Sequence, residues 1–285
     1  KLVAQWIVDG EAPIDLWDVD IRRFAPFHAN RRHLADRTVE SLGLHYAMRW
    51  PREELKTVRP LRRSPLYDRL AAKGAVFGSR LGWERANFFA PKGANAGIED
   101  SWGKQNWLPW SAAEQRNTRE NVTGFDQTSF SKYLLKGRDA EAAQQWLCTN
   151  DVAVEVGRAV STGMLNSRGT YESDVTVTRV AHDEYLIVSS AATTERDKDH
   201  IGKHIPTGLE ATLFDATSSL AVFGIMGPRA RDLLAKVSRA DLSDDAFPFG
   251  ASREIDLGYS TVRATRITYV GELGWELTVP TELAT

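Results

Sequence analysis

Apolar and polar residues alternate with period two over Ala159 to Leu165, Asp174 to Val180 and Glu184 to Ser190, which predicts three strands joined by short connections. Two further strand-like runs, FSKYLLK and SLAVFGIM, end at Gly137 and Gly227, and each glycine leads into a helical pattern, RDAEAAQQWL and PRARDLLAKV. The repeated order of strand, glycine and helix suggests an internal duplication, with two half-domains each packing a helix on an antiparallel sheet. Nearer the N-terminus a short amphipathic run precedes the connector EAPIDLWDVDIRRF. A helical pattern follows from Ala25 toward Arg62, with Leu34, Val39 and Leu42 on one face and Trp50-Pro51 ending it. SPLYDRLAAKG carries Pro65 at its first turn and Gly74 after its last, and Ser111 with Glu114 reads as a capping box for a helix running toward Gly124. Between them, Ala90 to Trp110 reads as a long ordered loop, and TERDKDHIGKHI as a charged helix. Strands interleaved with helices through short hairpins give an α+β class.

Composition removes several alternatives. The 285 residues carry a formal net charge of −2, with both signs interspersed, so there is no field to gather nucleic acid or an anionic membrane. One cysteine, Cys148, excludes an intrachain disulfide and a cysteine-cluster metal site; it reads as a small buried hydrophobe within a helix, in a reducing compartment. No apolar run approaches the roughly 20 residues that span a bilayer. His200 and His204 are the one histidine pair at helical ligand spacing, but the helix is studded with charges and reads as a solvated surface, so no metal site is expected. There is no G-x-S-x-G, no Gly-Lys-Ser/Thr phosphate loop and no G-x-G-x-x-G after a strand.

Two stretches carry candidate chemistry. RITYVGELGWELTVP, Arg266 to Pro280, places Tyr269, Gly271, Glu272, Gly274 and Glu276 between β-favouring flanks. A strand that kinks at Gly271 and resumes at Gly274 brings the Glu276 carboxylate toward a planar, amidine-like ligand such as a pterin; a tight hairpin with its glutamates in water fits the same residues. In GMLNSRGTYESDVTVTRV, Asp174 opens a strand beside a glycine-bearing turn. It is placed either to face a cleft between half-domains or simply to end a hairpin.

Taken in order, SPLYDRLAAKGAVFGSRLGWE, NVTGFDQTSFSKYLLKG, GMLNSRGTYESDVTV, AVFGIMGPRA and TYVGELGWEL resemble the folate-binding aminomethyltransferase family, typified by the T-protein of the glycine cleavage system. The part before Ser64 is similar to the junction in dimethylglycine and sarcosine dehydrogenases, FAD-dependent N-methyl amine oxidoreductases. The resemblance implies three segments. Residues 1–24 would end a missing FAD-dependent oxidoreductase domain, 25–63 would be a central connecting segment, and 64–285 a T-protein-like folate-binding domain truncated at its C-terminus. It implies tetrahydrofolate as cofactor, FAD held by the missing domain, an N-methyl amine such as dimethylglycine or sarcosine as substrate, and an electron-transfer flavoprotein as possible acceptor. Neither nucleic acid nor membrane is an implied partner. The compartment would be the cytoplasm in a bacterium or the mitochondrial matrix in a eukaryote. Carried over by motif, Asp174 is the catalytic residue beside the reactive nitrogens of the folate, while Glu276 and Tyr269 bind its pterin. Ser173 and Ser161 depart from the family pattern, where a second acid and a tyrosine stand. The activity implied is transfer of a one-carbon unit from an oxidised N-methyl amine to tetrahydrofolate, giving 5,10-methylenetetrahydrofolate. A non-catalytic relative such as the pyruvate dehydrogenase phosphatase regulatory subunit, or a stand-alone folate-dependent aminomethyltransferase, is the alternative.

Overall fold

Nineteen helices and strands follow one another in the computed structural model, which describes residues 1–51 and 53–285. In chain order they are α1 (Leu2–Asp9), α2 (Arg31–Gly43), α3 (Tyr67–Ala72), β1 (Ala75–Arg80), β2 (Trp83–Phe89), α4 (Leu108–Glu120), β3 (Thr123–Asp126), β4 (Ser131–Lys136) and α5 (Ala140–Leu147). Then come β5 (Arg158–Leu165), β6 (Tyr171–Ala181), β7 (Glu184–Ser189), α6 (Thr194–His204), β8 (Thr212–Asp215), β9 (Leu220–Met226), α7 (Ala230–Leu234), β10 (Ser252–Leu257), β11 (Ser260–Thr265) and β12 (Gly274–Pro280). β1 and β2 form a hairpin, and the remaining strands make two five-stranded antiparallel sheets, ordered β5-β6-β7-β4-β8 and β10-β11-β12-β9-β3.

The two sheets repeat one plan. In each, a strand runs into a glycine and a helix and then into a three-stranded meander: β4, Gly137, α5, β5 to β7, and β9, Gly227, α7, β10 to β12. The glycines have φ of 143° and 134°. A Cβ on Gly137 would sit 2.0 Å from the Glu210 carbonyl oxygen, and one on Gly227 would sit 2.3 Å from that of Asn121, so no other residue fits either junction. The fifth strand of each sheet is exchanged: β3, which precedes the first unit, pairs with β9 of the second, and β8, which precedes the second, pairs with β4 of the first. Both exchanged strands end in the same words, FDQTS from Phe125 and FDATS from Phe214. The aspartates cap matching turns, Asp126 accepting from the Thr128 amide at 3.1 Å and Asp215 from the Thr217 amide at 3.0 Å. The threonine hydroxyls then accept from the opposite unit's strand, Thr217 from the Lys132 amide and Thr128 from the Val222 amide.

Side-chain alternation divides each sheet. Tyr133, Leu135, Val175, Val177 and Ile187 pack with Ala140 and Ala143 of α5 in one core, and Val262, Ala264, Trp275 and Leu277 pack with Ala230 and Leu234 of α7 in the other. The opposite faces are polar. Thr176, Val188 and Lys132 share one cross-strand row, and Thr265, Glu276 and Gly224 share another, so both rows point away from the apolar cores.

Four expectations are corrected. α2 covers only Arg31–Gly43, because Asn30 caps it by accepting from the amides of Arg32 and His33; Leu34, Val39 and Leu42 are exposed and His33 is its buried residue. The capping box at Ser111 does not form: α4 starts earlier, at Leu108 with Pro109 in its first turn, after Trp107, which packs on Phe88, and Glu114 instead accepts the Phe89 amide at 2.8 Å. Cys148 follows α5 rather than lying within it, and burial pushes its thiol up to about 11. His200 is buried, its ring centroid 4.3 Å from that of His204, on the face of α6 that carries Ile201 into the core.

Candidate functional site

Glu276 lies at the centre of the second sheet, between Thr265 and Gly224, and is only 4% exposed. Burial pushes its carboxyl up to about 7, against the opposing influence of the Gln127 and Tyr269 side chains, which favour the charged form. Its Oε1 is buried without a hydrogen-bond partner, as is the Oε1 of Gln127. Gly224 leaves room for Gln127 here, since a Cβ on it would stand 2.7 Å from the Gln127 Oε1. Two enclosed acceptors lacking donors call for a ligand that presents N–H groups along one edge.

Tyr269 arrives from the loop between β11 and β12, where Gly271 adopts φ 75°. Burial first, and then the charge of Glu276, pushes its phenol up to about 12. Asp174 adds in the same direction and a hydrogen bond with Thr176 opposes it. Solvent reaches 59% of this residue, which moderates the burial contribution. Tyr269 thus feels groups of both sheets, Glu276 of the second and Asp174 and Thr176 of the first. Asp174 is exposed and sits opposite Gly163 in the β5–β6 ladder, where the Tyr171 ring occupies the space a Cβ on Gly163 would need, 2.5 Å away. The Phe130 ring lies 6.3 Å from that of Tyr269.

The first sheet adds a buried cation. Lys132 is fully buried, its amine donates to the Thr128 carbonyl at 2.6 Å, and burial pushes it down to about 7; Arg62 reinforces this while Asp215 and Asp126 oppose it. The unfolded chain holds this proton up to 10.5, so the folded state gains stability as pH rises from 7 to 10.5 and is least favoured at and below 7. Lys132→Met is expected to stabilise the protein by roughly 2–4 kcal/mol near neutral pH, the gain vanishing as pH approaches the unfolded value. Urea denaturation of both proteins at pH 6.5, 8 and 9.5 checks this (about 0.5 M steps resolving the midpoint); a difference that does not shrink with pH contradicts it.

Gln127 and Lys132 were not among the residues singled out from the sequence. The duplicated FDxTS words, which set one residue of each pair beside the opposite unit, were the available signal. Among the described residues, no group of three or more His, Cys, Asp or Glu is arranged to hold a metal ion. No described helix is long and apolar enough to cross a membrane.

The chain belongs to the family of the GCVT N-terminal domain, whose family model matches residues 66–285. The model of the FAD dependent oxidoreductase central domain matches residues 9–64. With this pair of segments, the chain is 38% identical over 284 residues to a formaldehyde-forming 4-methylaminobutanoate oxidase of Paenarthrobacter nicotinovorans, covering 100% of this chain and 34% of that one. It is 33% identical to human mitochondrial sarcosine dehydrogenase, covering 98% and 34%. It is also 33% identical to the mouse mitochondrial pyruvate dehydrogenase phosphatase regulatory subunit, covering 100% and 33%. The chain spans about a third of the length of these relatives. In fold it is similar to the glycine cleavage system aminomethyltransferase T of Bartonella henselae, with TM-score 0.63 and 22% identity over 79% of this chain and 55% of that one.

Proposed function

We propose that residues 64–285 form the folate domain of a folate-linked oxidative N-demethylase, which moves a one-carbon unit from an oxidised N-methyl amine to tetrahydrofolate. The observation that carries this reading is the pair of buried, unpaired acceptors on Glu276 and Gln127. They match the adjacent N–H groups of a pterin's amino-pyrimidine edge, which a carboxylate accepts as two parallel, charge-assisted bonds. Tyr269 offers a flat ring and a polar tip beside them. Asp174, exposed on the facing sheet, takes up the proton that the folate's amine releases and offsets positive charge developing there. Tetrahydrofolate supplies the two nitrogens that hold the carbon as 5,10-methylenetetrahydrofolate. FAD, in this reading, belongs to the additional length that the relatives possess, and the amine is oxidised there.

Calorimetric titration of the polypeptide with tetrahydrofolate tests the reading: saturable binding supports it. No binding favours a regulatory or scaffolding role instead, a second reading that the similarity to the phosphatase regulatory subunit keeps in play.

A further inference from the structure

A guanidinium near the same aromatic residues has no carboxylate or hydrogen-bond partner among the described residues. Arg85, on β2, is half-buried, which on its own disfavours its charge; Arg80, Asp126 and Glu54 act on it only through space. The nearby carboxylates are already engaged. Asp126 accepts from the Ser64 hydroxyl and the Thr128 amide, and Glu54 pairs with Arg59 and Arg80 and accepts the Ser79 amide. Arg59 itself is held by Glu84 at 2.6 Å, so Arg59 and Arg80 are paired with carboxylates while, among the described residues, Arg85 is not. Its Cζ stands 5.8 Å from the centroid of the Phe130 ring, the same ring that lies 6.3 Å from that of Tyr269.

Leading away from Glu276, the side chains therefore offer two acceptors, then the Tyr269 and Phe130 rings, then a cation that has no carboxylate partner among the described residues. A ligand complementary to that order has an N–H-rich heterocycle, a second aromatic ring and an anion. We propose that Arg85 binds a glutamate carboxylate of the reduced folate, and that it sets a preference for ligands with a charged tail. This rests on the folate reading above. A planar guanidinium suits a carboxylate bidentately, and partial burial strengthens the pair relative to a surface contact.

The test is a cycle of calorimetric titrations, using tetrahydrofolate and its diamide, in which both glutamate carboxylates are neutral, on the unaltered polypeptide and on Arg85→Gln. The unaltered protein should bind tetrahydrofolate roughly 10- to 100-fold more tightly than the diamide, and Arg85→Gln should bind both with the diamide's affinity. Retained diamide affinity in the variant also shows that its site is folded. Equal affinity of the unaltered protein for both ligands, or an Arg85→Gln variant that still discriminates, overturns the role of Arg85 and leaves the folate reading standing. Binding of neither ligand by the unaltered protein overturns both.

Discussion

Glu276→Ala is expected to weaken tetrahydrofolate binding by about 2–3 kcal/mol, the scale of a lost hydrogen bond to a charged group. The carboxyl sits near 7, so the unaltered protein must release a proton to present a carboxylate at lower pH. Its affinity should therefore fall about tenfold per pH unit below 7 and level off above, whereas the variant's should stay flat. Calorimetry in two buffers of different ionisation enthalpy measures the released proton directly. The same group acts on folding with a defined sign. Its folded value lies above the ordinary 4.5, so the stability it contributes is full below 4.5 and is lost as pH rises through about 7. Relative to the unaltered protein, Glu276→Ala should gain stability between pH 5 and pH 8. Unchanged folate affinity across that range would contradict the assignment of the pterin edge.

Asp174→Ala should behave in the opposite way. The side chain is exposed at the start of its ladder, so its removal leaves no buried group unpaired, and folding and folate affinity should be nearly unchanged. Carbon transfer in the full-length protein should fall by roughly 10²- to 10⁴-fold, the range for loss of a positioned acid or base. Single-turnover formation of methylenetetrahydrofolate, with formaldehyde release followed in parallel, separates these effects. A loss of affinity equal to the loss of transfer would remove the catalytic role and leave Asp174 as a binding residue.

The sequence announced the strands and glycines of both sheets because period-two alternation and a Gly junction are local signals. Gly137 and Gly227 are the clearest case. The α2 face misled, since Leu34, Val39 and Leu42 have no core against them in this structure and their spacing says nothing about what they meet. Local pattern also failed at Ser111, where Pro109 and the Phe88–Trp107 contact outweighed a capping motif. The four-residue strands β3 and β8 carry too little periodicity to read, because their pairing is long-range. For the site, Glu276 and Tyr269 stood out by composition. Gln127 did not, since its role depends on Gly224 lying across a ladder almost a hundred positions away.

The exchanged strands also bear on how the protein is made. The first sheet cannot close until β8, ending at Asp215, has left the ribosome, and β3 waits for β9 although it was synthesised long before. Until then each half exposes an unpaired backbone edge, the kind of surface that recruits chaperones or a second nascent chain. Severing the loop between α6 and β8 should thus yield two fragments that are insoluble alone and soluble when co-expressed.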